Sequence, residues 1–240
     1  LADFHKRYPE RGASFPNEYQ DPPFEEGWEA KLGLAVAAKL VSHYGLSDNK
    51  DEMLSLTLLA NVIGLQSIRF DIAWKVFVLD SDELNAFGLA DGYILITRGL
   101  LAKCNGLEER AAILAHEVAH VVRYHNLMEL QARKVDLKAE SAQDALNKAF
   151  GEEADPDFED LKDVAMKAYT FLHKDRLEAY EYEADHLAAV YLYRTGLNPQ
   201  ALINLLAKVQ RVRGDHEAYS GHPPFSKRIK ALKQTIESIR

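Results

Sequence analysis

Two histidines and a glutamate in the pattern His116-Glu117-Val118-Ala119-His120 are the residues of this chain best spaced for chemistry. On an α-helix, positions i and i+4 project from one face, so both imidazoles can bind one metal ion. Glu117 is offset by about 100° around the helix and can reach a water molecule on that ion without binding the metal itself. The pattern therefore predicts a metal site, with zinc favoured, at which Glu117 activates the attacking water.

Apolar residues surround this motif almost continuously, which predicts a helix that is buried nearly all round. Two histidines and a glutamate are costly to bury unless a metal ion or hydrogen bonds satisfy them. The alternative is a chance occurrence of the pattern, at roughly a few per cent for a chain of this composition. The metal site is the favoured interpretation. The apolar residues concerned are Ala111, Ala112, Ile113, Leu114, Ala115, Val118, Ala119, Val121 and Val122.

A catalytic zinc site needs a third protein ligand and an open fourth position. The histidine nearest in sequence is His125, but the extended form of the motif requires a glycine at 123 and a histidine at 126. This chain has Arg123 and Asn126 there. We therefore expect His125 to be a polar residue near the exposed end of the helix.

The segment EYEAD offers a better third ligand. Glu181 and Asp185 lie at i and i+4 on the flank of an apolar helix face, whereas Glu183 is expected to point away. A carboxylate that faces the core needs a cation, and Asp185 can accept the free N–H of a histidine ligand. The alternative is a solvated pair with Lys174 or Arg176, which is less favoured once the first motif is considered.

The hydrophobic pattern predicts a mainly α protein with a small, mostly antiparallel β-sheet, an α+β fold. Four prolines within residues 8–27 indicate an extended arm, so we expect an arm over residues 1–27 and a single domain over residues 28–240. Strands are predicted at 72–79, 85–89 and 93–97. Helices are predicted at 28–44, 51–63, just after Thr97, at 108–133, 173–194 and 199–212, and from 226 onward.

Composition excludes several other classes of function. The chain has 240 residues, 47% of them apolar, and a net charge of −8 without a basic stretch, so nucleic acid is not an expected partner. Cys104 is the one cysteine, which excludes an internal disulfide and a thiolate metal cluster. No apolar stretch is long enough to span a bilayer. The first residue is Leu1, so we expect an N-terminal signal or anchor to be missing from this chain.

Four segments in a fixed order carry a resemblance to a known family. They are HEVAH, EYEAD, the stretch NAFGLADGYILITRGLL at 85–101, and GHPPFSKRI near the C-terminus. Together they resemble the gluzincin peptidases that include prenyl-protein (CaaX) proteases, HtpX-like heat-shock proteases and soluble periplasmic envelope peptidases. The resemblance covers roughly residues 65–235 and implies a zincin-like metalloprotease fold.

The resemblance also implies a ligand set. His116, His120 and Glu181 would bind one zinc ion per chain, Glu117 would act as the general base, and Asp185 would support the ligands from outside. This assignment agrees with the one reached from the residues themselves.

Two further groups of residues are implied by the resemblance. His222 would belong to the active site, where it would stabilise an oxyanion or shield the metal; from the residues alone, a structural loop histidine is equally favoured. Asn85, Ala86 and Phe87 would form an edge strand that pairs main chain to main chain with an extended substrate. Relatives commonly have Thr or Ser before the HP histidine, where this chain has Gly221.

We therefore expect a zinc-dependent endopeptidase of extended or misfolded polypeptides. One alternative is a latent zinc protein or chaperone-like quality-control factor whose site is blocked by His222, and another is an exopeptidase. Many relatives have several transmembrane helices and this chain has none, so the resemblance is strongest to the soluble members. It implies a location in the bacterial periplasm or cell envelope. The oligomeric state is not indicated by the sequence.

Overall fold

The computed structural model of the protein describes residues 28–132, 178–215 and 223–239. The predicted arm over residues 1–27 and the predicted helical residues 173–177 lie outside the described residues. The elements are α1 (Trp28–Tyr44), α2 (Lys50–Gly64), β1 (Lys75–Leu79), β2 (Ala86–Leu89), β3 (Tyr93–Thr97), α3 (Arg98–Leu101), α4 (Leu107–Val122), α5 (His125–Ala132), α6 (Glu178–Arg194), α7 (Gln200–Arg213) and α8 (Phe225–Ile239).

The three strands form one small sheet in the order β1-β3-β2. After β1, the chain forms β2 one strand position away, and β3 then fills the position between β1 and β2. Strand β3 therefore pairs parallel with β1 and antiparallel with β2. The predicted fold class, helices with a small sheet, is confirmed, and the sheet is mixed because one of its two strand pairs is parallel. Strand β2 lies at one edge.

The turn between β2 and β3 contains Asp91 and Gly92. Asp91 and Gly92 both have positive φ, 58° and 75°. Glycine adopts this region without a steric cost, and aspartate tolerates it. A side chain at position 92 would also approach within 2.4 Å of Ile72 Cγ2. The turn therefore fixes β2 as an antiparallel edge strand against β3.

Helix α4 is the central element of the core. Every residue from Ala111 to Val122 is buried, as the apolar sequence predicts. The helix packs against α2, α6, α7 and β2, so the polar side chains of its buried part, His116, Glu117 and His120, lie inside the protein. Among the residues that the structure describes, no helix combines the length and apolarity needed to cross a bilayer.

The predicted helix over 108–133 is in fact two helices. Helix α4 ends at Val122 and α5 begins at His125, with Tyr124 between them at a φ of 55°. Positive φ is uncommon for a bulky residue and ends a right-handed helix. The guanidinium of Arg69 lies 4.6 Å from the centre of the Tyr124 ring and fixes this residue from outside. Apolar periodicity continues through the break, which is why the sequence did not indicate it.

Candidate metal centre and active site

The structure brings the three predicted ligands together. The Nε2 atoms of His116 and His120 lie 3.1 Å apart, and they lie 3.6 Å and 3.4 Å from the carboxylate oxygens of Glu181. Tetrahedral zinc with bonds of about 2.1 Å requires donor atoms about 3.4 Å apart. These donors could hold one metal ion, and their types and spacing fit zinc.

Each ligand is placed by the core of the protein. His116 and His120 project from the buried face of α4, one turn apart, and Glu181 enters from the first turn of α6. The side chains of His120 and Glu181 are both 0% exposed. A carboxylate buried so completely requires positive charge beside it, which here comes from an arginine, Arg228, and would come also from a metal ion.

Asp185 lies behind His116, one turn after Glu181. Its Oδ1 is 3.1 Å from Nδ1 of His116, on the side of the ring opposite the ligand atom. Burial would raise the pKa of Asp185, but the charge and hydrogen bonds of Arg228 outweigh it and hold the pKa below its usual range. An ionised Asp185 is therefore available to accept the Nδ1–H of His116.

Arg228 is a site residue that the sequence analysis did not assign. Its side chain is 5% exposed and it donates two hydrogen bonds of 2.7 Å to Asp185. Its third nitrogen lies 2.9 Å from Oε2 of Glu181. One arginine thus pairs with two buried carboxylates around the candidate metal site, and its single positive charge offsets one of their two negative charges. The signal was present, because Arg228 shares the buried face of α8 with Leu232 and Ile236 at i, i+4 and i+8.

The same cluster affects His116. Burial alone would lower the pKa of His116, but hydrogen bonds and negative charges from Asp185 and Glu181 outweigh it and raise the pKa to about 9 in the metal-free chain. A metal ion at this site would therefore have to displace a proton from His116.

Glu117 is held beside the ligands by the edge strand. Its Oε2 accepts a 2.6 Å hydrogen bond from the backbone N–H of Gly88 in β2. A Cβ at Gly88 would lie only 2.6 Å from the carbonyl oxygen of Glu117, so the absence of a side chain lets β2 approach α4. The side-chain amide of Asn126 donates to the carbonyl of Gly88 and fixes the same residue from the other side.

The edge strand presents alternate backbone groups outward. The backbone carbonyl of Asn85 accepts a hydrogen bond from the N–H of Thr97 in β3. Backbone groups alternate along a strand, so those of Phe87 also point toward β3, whereas those of Ala86 and Gly88 point toward the edge of the sheet away from β3. The Phe87 side chain is 1% exposed and packs in the core. Of the three residues predicted to contact substrate, Asn85 and Ala86 line the cleft next to His116 and Glu117, and Phe87 is not among the lining residues.

A cleft of about 720 Å³, including the space at its mouth, opens beside these residues. One wall is apolar and comes largely from α7. The polar and charged lining residues are Asn85, two of the candidate ligands, His116 and Glu181, together with Glu117, Arg213 and Arg228. A mainly apolar cleft with a few convergent polar groups is typical of a ligand site. The apolar residues from α7 are Leu202, Leu205, Leu206 and Val209.

His125 is buried beside the candidate metal site, so the prediction that it lies at an exposed helix end is wrong, and Glu183, which contacts it, is buried as well. His125 is 2% exposed and its Nδ1 lies 3.0 Å from Nδ1 of His120. Its Nε2 lies 3.3 Å from Oε2 of Glu183, which also forms an ion pair with Arg123. The helix break before His125 is the reason, because it turns the ring back toward His120.

Burial and charge pairing determine the protonation states of His125 and Glu183. Burial lowers the pKa of His125 and outweighs the effect of Glu183. Burial would raise the pKa of Glu183, but the hydrogen bond from His125 and the charge of Arg123 lower it overall. At neutral pH, a neutral imidazole therefore lies between His120 and an ionised carboxylate.

Comparison with known proteins decides the family. The chain matches Peptidase family M48 over residues 53–236, which is more than half of its length. The chain belongs to peptidase family M48. This confirms the resemblance to gluzincins and the zincin-like fold, and it makes the chain a zinc metallopeptidase that acts on polypeptides, with zinc as its cofactor.

Relatives of this M48 peptidase include bacterial and mitochondrial proteases. It is 24% identical to metalloprotease YcaL of Escherichia coli (strain K12) over 76% of this chain and 69% of that protein. It is 26% identical to the beta-barrel assembly-enhancing protease of the same organism, over 70% of this chain and 35% of the relative. It is 25% identical to mitochondrial metalloendopeptidase OMA1 of Schizosaccharomyces pombe, over 69% of this chain and 48% of the relative. The match thus spans half or less of the latter two proteins.

His222 lies outside the described residues of this M48 peptidase, and its role stays a prediction. The described chain resumes at Pro223 and begins α8 at Phe225, which lines the cleft together with Arg228.

Proposed function

We propose that this chain is a zinc-dependent endopeptidase that hydrolyses peptide bonds of extended or misfolded polypeptides. His116, His120 and Glu181 would hold the zinc ion, and Glu117 would be the general base. The observation that carries this proposal is the convergence of three buried donor atoms at 3.1–3.6 Å, with Glu117 oriented next to them at an open cleft.

The protein residues have distinct tasks in this reaction. A zinc ion held by these ligands would supply Lewis-acid polarisation of the scissile carbonyl and a lowered pKa of the attacking water. Glu117 accepts the proton of that water on a carboxylate oxygen and delivers it to the leaving amine. The hydrogen bond from the Gly88 N–H to Oε2 holds the Glu117 carboxylate in place beside the cleft. Asp185, which Arg228 keeps ionised, orients the ring of His116.

The shape of the cleft supports an extended substrate with an apolar side chain near the cleaved bond. Ala86 faces the free edge of the sheet, where main-chain pairing is indifferent to substrate side chains. The wall formed by α7 is apolar and would accept a Leu-like or Phe-like side chain. Misfolded polypeptides expose both extended backbone and apolar side chains, which is why we propose them as substrates.

The proposed location is the bacterial periplasm or cell envelope. Its support is the resemblance to soluble envelope peptidases and the similarity to two Escherichia coli proteases.

Peptides blocked at both ends test the endopeptidase proposal most simply. We expect cleavage of a quenched fluorescent peptide with acetylated and amidated termini and a central apolar residue, and also of casein. Both activities should be lost with o-phenanthroline and restored by zinc. Cleavage only of peptides with a free terminus would contradict the proposal in favour of an exopeptidase.

The same assay distinguishes a latent enzyme. A latent enzyme would contain zinc but would not cleave either substrate. In that case, a block by His222 predicts that His222→Ala is active. If both proteins contain zinc and neither cleaves, the endopeptidase proposal fails.

A further inference from the structure

The break between α4 and α5 places a histidine where an unbroken helix would not. Five residues along an α-helix correspond to about 500°, so a regular helix would turn His125 about 140° away from His120. Instead, the left-handed conformation of Tyr124 returns His125 to the same side. The two imidazole rings meet edge to face, with centroids 5.0 Å apart.

The positions of the ring nitrogens define one arrangement of protons. Nε2 of His120 faces His116 and Glu181, so its lone pair must be free for a metal ion and its proton must be on Nδ1. Nδ1 of His125 lies 3.0 Å from that atom and is placed to accept this proton's hydrogen bond. The proton of His125 is then on Nε2, 3.3 Å from the carboxylate of Glu183.

We propose that His125 is a positioning residue for the metal centre, which links ligand His120 to the carboxylate of Glu183. By accepting from Nδ1–H of His120 and donating to Glu183, it fixes the tautomer and the orientation of the ligand ring. The inference rests on the proposed function, because it requires that His120 binds the metal.

Two neighbouring contacts hold His125 in this orientation. Its ring stacks on Tyr180 with centroids 4.4 Å apart and planes inclined by 11°. Glu183 is itself held by an ion pair with Arg123, the residue at the end of α4. The imidazole is therefore enclosed by a ring face, a carboxylate and the ligand that it supports.

One short segment of α6 would then serve the whole metal centre. Glu181 is the candidate ligand, Asp185 supports His116 directly, and Glu183 supports His120 through His125. Positions i and i+2 face nearly opposite sides of a helix, so Glu183 cannot reach the ligands by itself. The intervening imidazole spans that gap.

Two substitutions of His125 separate hydrogen bonding from packing. His125→Phe keeps a ring that can stack on Tyr180 and removes both nitrogens. His125→Asn keeps an acceptor atom near the position of Nδ1 and loses the ring and the reach to Glu183. The readout is the zinc dissociation constant from competition with a chromophoric chelator, with thermal unfolding of each metal-free variant as the control for folding.

We expect His125→Phe to weaken zinc binding by about 10–100-fold, the range for loss of an outer hydrogen-bond partner. His125→Asn should be intermediate. At saturating zinc the KM for a peptide should stay at its wild-type value, because His125 does not line the cleft. If His125→Phe does not fold, Glu183→Gln, which keeps the shape and removes the charge, should show several-fold weaker zinc binding.

Three results would overturn the inference. Wild-type zinc affinity in His125→Phe, or in Glu183→Gln where that variant replaces it, shows that the link to His120 has no effect on the metal. A zinc affinity of His125→Asn below that of His125→Phe shows that ring packing, and not the hydrogen bond, is responsible. If the wild-type protein binds no zinc, the proposed function and the inference fail together. The zinc content of the wild-type protein therefore distinguishes this case from failure of the inference alone.

Discussion

Arg228 donates one hydrogen bond of 2.7 Å to each carboxylate oxygen of Asp185. The two side chains are buried, with at most 5% of either exposed. The same guanidinium lies 2.9 Å from Glu181. Glu181, a candidate metal ligand, and Asp185, which lies behind the candidate ligand His116, are thus both paired with one arginine from α8. The C-terminal helix therefore contributes directly to the candidate metal centre.

Arg228→Met should destabilise the metal-free protein strongly. Removing one partner of a buried ion pair leaves an uncompensated charge and costs about 3–5 kcal/mol. Arg98→Met is a matched control, because Arg98 pairs with Asp80 and Asp82 at exposed positions and such pairs contribute about 0–1 kcal/mol. Urea unfolding of both variants without zinc gives the comparison. Equal, small losses in the two variants would show that Arg228 is not required to neutralise the cluster.

Gly88→Ala should reduce activity by at least about tenfold while zinc is retained. The new Cβ would lie 2.6 Å from the carbonyl oxygen of Glu117 and 3.1 Å from its Oε2, so the base must shift. Gly106→Ala is the control, since nothing lies within 4 Å of a Cβ there and only its φ of 91° is strained. We expect it to lose about 1–3 kcal/mol of stability, because Gly106 has a backbone conformation that other residues rarely adopt, and to keep its activity per bound zinc. Wild-type activity in Gly88→Ala would refute the proposed role of Gly88.

Zinc affinity should increase with pH. The pKa of His116 is raised to about 9 in the metal-free chain, so at lower pH this imidazole carries a proton that zinc must displace. One displaced proton corresponds to an increase of about tenfold per pH unit, which should level off above pH 9. Chelator competition at several pH values measures the slope. Asp185→Asn removes a negative charge that raises the pKa of His116, so the zinc affinity of this variant should level off at a lower pH than that of the wild type. A zinc affinity independent of pH would contradict the assignment of His116 as a ligand.

The cluster of candidate ligands was predictable because the geometry within each helix is local. A spacing of four residues on one buried helix brings His116 and His120 together whatever the rest of the fold does. Glu181 and Asp185 were found by the same rule on a second helix. What the sequence left open was only how the two helices meet, and the resemblance to a family supplied that.

The supporting residues were harder to predict because they depend on contacts distant in sequence. His125 reaches His120 only through the left-handed residue Tyr124, and Tyr124 is itself fixed by Arg69 from another part of the chain. Arg228 could have been noticed as a charge on an apolar face, but the sequence alone does not name Asp185 as its partner.

The parallel pairing of β1 with β3 was not predicted either. Three short strands close together in sequence favour antiparallel hairpins. Here the third strand inserts between the first two, so it pairs parallel with β1 and antiparallel with β2.

The central claim, that Glu117 is the base of a zinc peptidase, is tested most directly by Glu117→Gln. Glu108→Gln, an exposed substitution on the same helix, is the matched control. We expect about one zinc per chain in all three proteins, and casein cleavage that is normal in Glu108→Gln and lowered at least about 100-fold in Glu117→Gln. Wild-type cleavage by Glu117→Gln, or a wild-type protein that binds no zinc, would contradict the account.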